Sequence, residues 1–340
     1  MSAFRFLAIW FLVVGGIFTM GGAVCAFDAE QHFRGKTIKL LIPTGPGGGR
    51  SLYALPFASA YGRNLPGAPV VTPVFMPGAG GSIALNNAYS LAASDGLTIV
   101  TPLVSVLNAQ IIGEKSVQYD ARRFRWIGRT QDAARVLVVA GIVRARTLED
   151  LQQQEIVVGA VGQASDTATN ATFMNALFKT RFKVIAGYGA SNKAMLAIAG
   201  GETQGAFTTW DNVKTNHRAD WQDGVLRPVL QIGFTRQPEL PDVPLVLDLA
   251  RTETERHLVR LMSTSTLMGQ SIAAPPGVPD DILGVLRRGF DATMQDADFR
   301  ERMKAIGGDV NAMTGEELTD LVNQTMATPP DVVELYKKLG

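Results

Sequence analysis

The chain has 340 residues, with 32 Lys and Arg against 31 Asp and Glu, a formal net charge of +1, one cysteine and three histidines. That balance, without a long like-charged block, leaves no electrostatic footprint for nucleic acid. His32, His217 and His257 lie far apart in sequence and lack the partner spacing of a zinc site, and no G-x-S-x-G elbow, H-E-x-x-H helix or EF-hand loop occurs, so no metal, cofactor or catalytic group is expected.

The chain opens with a short segment carrying Arg5 and an apolar run from Phe6 that ends in small residues at Val24, Cys25 and Ala26. This predicts a secretory signal peptide over residues 1–26 and export to the periplasm. A retained membrane anchor is the rival, disfavoured because Gly15, Gly16, Gly21 and Gly22 weaken a spanning helix. Gly22, Ala23 and Val24 ahead of Cys25 fit a lipoprotein signal poorly. Cleavage removes the only cysteine, so disulfides and thiol chemistry are excluded, and about 310 residues remain, enough for two domains.

Residues 38–42 form a short apolar run that fits a buried strand, followed by a loop, "PTGPGGG", and a helix over 52–63. The loop has an anion-binding shape, because glycines between a strand and a helix aim backbone N–H groups at an anion. It fits neither the nucleotide-triphosphate loop, since Thr44 stands where the first glycine belongs, nor the G-x-G-x-x-G fingerprint. A second strand over 70–75 leads through "MPGAGG" into a helix over 82–91, and "DGLTIVTPL" adds a third strand. Successive strand, glycine loop, helix units predict a parallel sheet with both loops at one edge, where ligands bind.

The centre repeats this logic with a strand over 136–141, a helix opened by a capping box at Thr147 to Asp150, and two further strand, loop, helix units at Gly159 to Asp166 and Gly187 to Asn192. Further short strands fall in "GETQGAFTTW" and "LRPVLQIG". The C-terminal part changes to amphipathic helices over 282–295, 298–306 and 314–326, the last with a capping box in "TGEE".

The ordered segments "PTGPGGGRSLYA", "MPGAGGSIALNNAYSLAASDG", "RFRWIG", "GYGASNKAMLAIAGGETQGAFTTW", "PELPDVPL" and "AAPPGVPDDILGVLRRGFDATMQDADF" resemble the solute receptors of tripartite tricarboxylate transporters, the Bug-type periplasmic binding proteins. The resemblance implies an α/β, two-lobed periplasmic binding fold of the type II-like, Venus flytrap kind, each lobe a mostly parallel sheet flanked by helices. Lobe 1 is expected over 27–130 plus 265–340 and lobe 2 over 131–264. It further implies a non-enzymatic, monomeric receptor that closes on a small organic carboxylate and delivers it to the membrane subunits of such a transporter. A ligand-presenting sensor for a membrane kinase, or a hydrolase or lyase using scattered carboxylates, are the other classes considered.

The expected ligand-binding residues are Thr44, Gly47, Gly48, Gly49, Arg50 and Ser51 in the first loop, and Gly78, Ala79, Gly80 and Gly81 in the second. From lobe 2 they are Gly162, Ser165, Asp166, Tyr188, Ser191, Thr209 and Trp210. Gly47, Gly48 and Gly49 are alternatively a tight turn, Arg50 alternatively a solvated surface charge, Ser51 and Asp166 alternatively helix caps, and Tyr188 and Trp210 alternatively core. The chain departs from the family pattern at Arg50 and Ser51, where an aromatic and an aspartate are usual, at Leu55 in place of an arginine, and at Phe75 in place of an asparagine. Losing a carboxylate and gaining a guanidinium makes this pocket edge more positive than in relatives.

Overall fold

The computed structural model describes residues 27–46, 49–162, 165–188 and 191–339; the expected signal peptide lies outside the described residues. Eleven strands form two sheets. They are β1 (Thr37–Ile42), β2 (Val70–Phe75), β3 (Thr98–Val100), β4 (Arg125–Arg129), β5 (Arg135–Ala140), β6 (Glu155–Ala160), β7 (Arg181–Ala186), β8 (Gly205–Thr209), β9 (Leu226–Ile232), β10 (Ser271–Ala274) and β11 (Met313–Thr314). The first sheet has the order β11-β4-β10-β3-β1-β2 and the second β7-β6-β8-β5-β9.

Each sheet is mixed. Strands β2, β1 and β3 run parallel, as do β7, β6 and β8, which are the strand, glycine loop, helix units visible in the sequence. The remaining pairs, through β10, β4 and β11 in one sheet and β5 and β9 in the other, are antiparallel. Segment 136–141, which the sequence places in an alternating parallel unit, is therefore antiparallel to both its neighbours. Pro73 and Pro228 fall in β2 and β9, the outermost strands, where a missing ladder donor is tolerated.

Helices cover both faces of each sheet. Phe57 and Tyr61, stacked with ring centroids 4.8 Å apart, pack with Phe290 and Phe299 on one face of the first sheet. On its other face Leu85, Leu107, Trp126 and Leu318 form a separate core. The second sheet is filled by Leu137, Val158, Phe173 and Phe207 on one side and by Val136, Met195, Ala206 and Trp210 on the other.

The parallel strands of the first sheet end at Ile42, Phe75 and Val100, and β4, two antiparallel steps from β3, ends at the same edge at Arg129. There the chain crosses to the second sheet and enters it at Arg135, opposite the end of β8 at Thr209. The loop edges of the two sheets thus meet at the crossing. The return passes through the helix Glu253–Met268 to β10. The two crossings are bonded to each other: Gln270 N–H donates to the Gln131 carbonyl at 2.8 Å, and Thr130 N–H donates to the Gln270 carbonyl at 3.1 Å. Gly269, at φ +20°, allows this approach, since a Cβ there would lie 2.1 Å from the Gln131 carbonyl oxygen.

Candidate functional site

The loops that follow the parallel strands reach this junction. In the first, Gly47 and Gly48 lie outside the described residues, and the helix begins at Gly49. Ser51 is not the N-cap: it sits in the first turn, buried, and its hydroxyl donates to the Gly45 carbonyl at 3.0 Å, tying the loop down. Thr44 Oγ1 is buried with no hydrogen-bond partner among the described residues, as is Thr101 Oγ1 just past β3. The second loop turns through left-handed backbone at Gly78 (φ +129°), Ala79 (φ +44°) and Gly81 (φ +93°). Gly81 N–H donates to the Gly78 carbonyl at 2.9 Å, closing the short turn Ala79–Gly81 that contains Gly80, and leads into the helix Ser82–Ser90. Gly78 and Ala79 are exposed at the rim.

Arg50 is 8% exposed. It stands second in the helix Gly49–Arg63, where the helix dipole disfavours a cation. No carboxylate pairs with it among the described residues, and the residues outside them include no Asp or Glu. Its Nη1 donates to Gln270 Oε1 at 3.0 Å, at the hinge. Burial lowers its pKa to about 10. Arginine is rarely buried unpaired, so this charge stands out. The other buried charged side chains of the described residues are also arginines, Arg129 and Arg135. Arg129 is answered by the Leu267 carbonyl at the end of the hinge helix, at 3.2 Å.

In the second lobe, Ser165 precedes the helix Asp166–Phe178. Its hydroxyl donates to the Gly162 carbonyl at 2.6 Å and lies 2.7 Å from Thr167 Oγ1, so it closes its own loop. Asp166 is ion-paired with Arg135, whose strand begins at the crossing. Tyr188 leans over Gly159 and its hydroxyl lies 3.3 Å from Glu202, directed along its own lobe. Ser191 opens the helix Ser191–Ala199. Thr209 caps the helix Trp210–Asn216, accepting from Asn212 N–H. Trp210 is 1% exposed, packed edge-on against Trp221, with its indole N–H toward Glu239 at 3.3 Å. The structure places it in the lobe core, because the helix that follows β8 turns the ring back under the sheet.

Two cavities open at the junction. One of about 450 Å³ lies between Ser105 and Asn108 of the first lobe and Asp166, Asn170 and Phe173 of the second, with Tyr336 of the C-terminal helix at its side. Another, of about 340 Å³, is lined by Tyr53, Gln131, Thr209, Asp211 and Gln270. Among the described residues no hydrogen bond or ion pair joins the 43–51 or 76–82 loops to the 160–166 or 186–191 loops, so the lobes meet at the hinge and not across these loops.

Sequence reasoning did not single out Gln270, Arg135 or the group around Lys214. Lys214 pairs with Asp309 of the other lobe and lies 3.4 Å from Glu239 and 3.6 Å from Asp211. Desolvation, with Asp132 and Asp309 adding to it against Lys214, pushes the Asp211 carboxyl up to about 7. No motif links these residues, which come from five separate segments. The single visible signal is Arg135, a charge heading the otherwise apolar strand "RVLVVA".

The sequence model of the tripartite tricarboxylate transporter family receptor matches residues 63–336. No curated protein matches in sequence. Among solved structures, a TctC solute binding protein from Polaromonas shares 19% identity at a TM-score of 0.71, covering 90% of this chain and 98% of its own. The periplasmic binding protein BugD shares 20% identity at a TM-score of 0.57, covering 91% and 99%. MatC from Rhodopseudomonas palustris, solved with bound malate, shares 17% at 0.55, covering 88% and 100%. An R. palustris protein solved with adipate shares 15% at 0.58, covering 89% and 98%. These likenesses fix the two-lobed α/β binding fold, and the family is one of receptors and not of enzymes. The chain belongs to the tripartite tricarboxylate transporter receptor family.

Proposed function

We propose that this chain is an exported, monomeric receptor that takes a small organic carboxylate between its two lobes, 27–130 plus 265–340 and 131–264, and delivers it to the membrane subunits of a tripartite tricarboxylate-type transporter. The observation that carries the reading is Arg50: a buried guanidinium beside a glycine loop, at a helix N-terminus, answered by a neutral amide oxygen and by no carboxylate. An anionic ligand supplies the missing countercharge. Charge-assisted hydrogen bonds of roughly 1.5 to 3 kcal/mol each, with backbone donors from the loops at Thr44 to Ser51, Gly78 to Gly81 and Gly162 to Asp166, are sufficient for micromolar binding, about 8 kcal/mol, after ordering costs. The structural neighbours solved with malate and adipate support a dicarboxylate of that size.

The test is mass spectrometry of what remains bound to gently purified protein. A small organic carboxylate at near-equimolar amount is expected. A bound cation or amine without an acidic group, or turnover of an added carboxylate, overturns the reading.

A further inference from the structure

Gln270 occupies an unusual position. Its side-chain carbonyl is the acceptor for Arg50 Nη1 at 3.0 Å, and its backbone makes two of the hydrogen bonds that pin one lobe crossing to the other, to Gln131 and from Thr130, beside that from Ala133 N–H to the Thr266 carbonyl at 3.1 Å. Gly269 beside it permits this close approach of the two crossings, since a Cβ there would meet the Gln131 carbonyl oxygen at 2.1 Å. The one hydrogen bond that links the unpaired cation to the rest of the described molecule therefore ends on the hinge.

We propose that Gln270 is the internal stand-in for the ligand's carboxylate: Arg50 exchanges the Gln270 amide oxygen for a ligand oxygen on binding, and the exchange releases the hinge side chain. The inference rests on the carboxylate reading given above and adds a specificity-determining residue outside the glycine loops. An amide oxygen is a weaker acceptor for a guanidinium than a carboxylate, so it holds Arg50 in place without outcompeting an anion. A carboxylate at position 270 would outcompete it. Affinity is thus set by the acceptor at 270 as well as by contacts to the ligand.

The experiment titrates succinate, malate, glutarate and adipate separately, by calorimetry, into wild type, Gln270→Met, Gln270→Glu, Arg50→Ala and the Arg50→Ala/Gln270→Met double variant. Gln270→Met keeps the side-chain length and the backbone hinge bonds but removes the competing acceptor, so affinity for the best-bound acid should rise about three- to tenfold. Gln270→Glu should lower it by about tenfold or more, because the ion pair with Arg50 is made before the ligand arrives. With Arg50→Ala as background, Gln270→Met should change affinity by less than about twofold, since non-interacting changes are additive.

Lost folding does not imitate a gain in affinity, so the rise with Gln270→Met separates exchange from damage. If that variant does not fold, Gln270→Glu alone decides, and unchanged affinity there overturns the proposal. It is also overturned if Gln270→Met leaves affinity unchanged or lowers it, or if its effect persists without Arg50. A wild type that binds none of the four acids removes the carboxylate reading itself, and this inference with it. Binding by wild type with silent Gln270 variants removes this inference alone.

Discussion

Asp211 shows how much a single carboxyl is altered by its place at the lobe junction. Desolvation raises its pKa to about 7, against Lys214 and with Asp132 and Asp309 adding to the rise, while Gln131 Nε2 donates to it. A carboxyl whose folded pKa exceeds its unfolded value, near 4, contributes fully below the unfolded value and loses that contribution as pH rises through the folded one. The window runs from about pH 4 to about 7. Asp211→Asn, which keeps the shape without the titration, should therefore gain stability relative to wild type by about 2 kcal/mol between pH 5 and pH 8. Urea unfolding of both proteins at the two pH values measures this, and a pH-independent difference places the Asp211 carboxyl in an ordinary environment. Trp210 marks the opposite outcome for sequence reasoning at this scale. Its place at a strand end suggested the cleft, yet the helix it opens buries the ring against Trp221.

The elements that were legible in the sequence are those with local signals. The strands and helices that flank the glycine loops after β1, β2, β6 and β7, and the capping boxes at Thr147 and Thr314, depend on neighbouring residues, and they stand where the pattern put them. The hinge helix Glu253–Met268 opens with a capping box of the same kind, Thr252 to Glu255, but its length was not legible because its buried face includes Ser263, Thr264, Ser265 and Thr266, which resemble a polar loop. Thr264 and Thr266 satisfy their hydroxyls on the Arg260 and Ser263 carbonyls, at 3.0 and 2.7 Å, so polar side chains are buried within the helix itself. The antiparallel strands β4, β10 and β11 were missed for another reason: they are two to five residues long and pair only with segments far away in sequence. At the point where these elements meet, Gly269→Ala should destabilise the protein by about 2 kcal/mol or more, because a Cβ is driven into the crossing backbone. Chemical denaturation checks the value. A loss under about 0.5 kcal/mol would show that the two crossings part readily.

For the whole molecule, three kinds of contact among the described residues join the lobes: the paired crossings at the hinge, the C-terminal helix, whose Tyr336 stacks on Phe173 with ring centroids 4.7 Å apart, and a polar lock on one side of the hinge. In the lock, Lys214 bonds Asp309 and Thr215 Oγ1 donates to the Gly307 carbonyl at 3.0 Å. Lys214 is 9% exposed in its side chain and is the one cation in hydrogen-bonding or ion-pair range of Asp211, Glu239 and Asp309 together. Lys214→Met should cost about 1 to 2 kcal/mol, since it leaves partly solvated carboxylates without their cation, and melting curves should fall accordingly; an unchanged melting temperature would make the lock a surface ornament of no energetic weight. Among the described residues the loops that face each other across the junction share no such bond, which leaves the cleft to be joined by a ligand. Calorimetric titration of wild type, Arg50→Lys and Arg50→Ala with the four dicarboxylates tests whether a ligand closes the cleft. Micromolar binding by wild type is expected, with a measurable loss for lysine, whose point charge replaces a planar fork, and a loss of about thirtyfold, or 2 kcal/mol, for alanine. Equal affinities for all three proteins would contradict this and leave the buried guanidinium as a hinge strut without a role in binding.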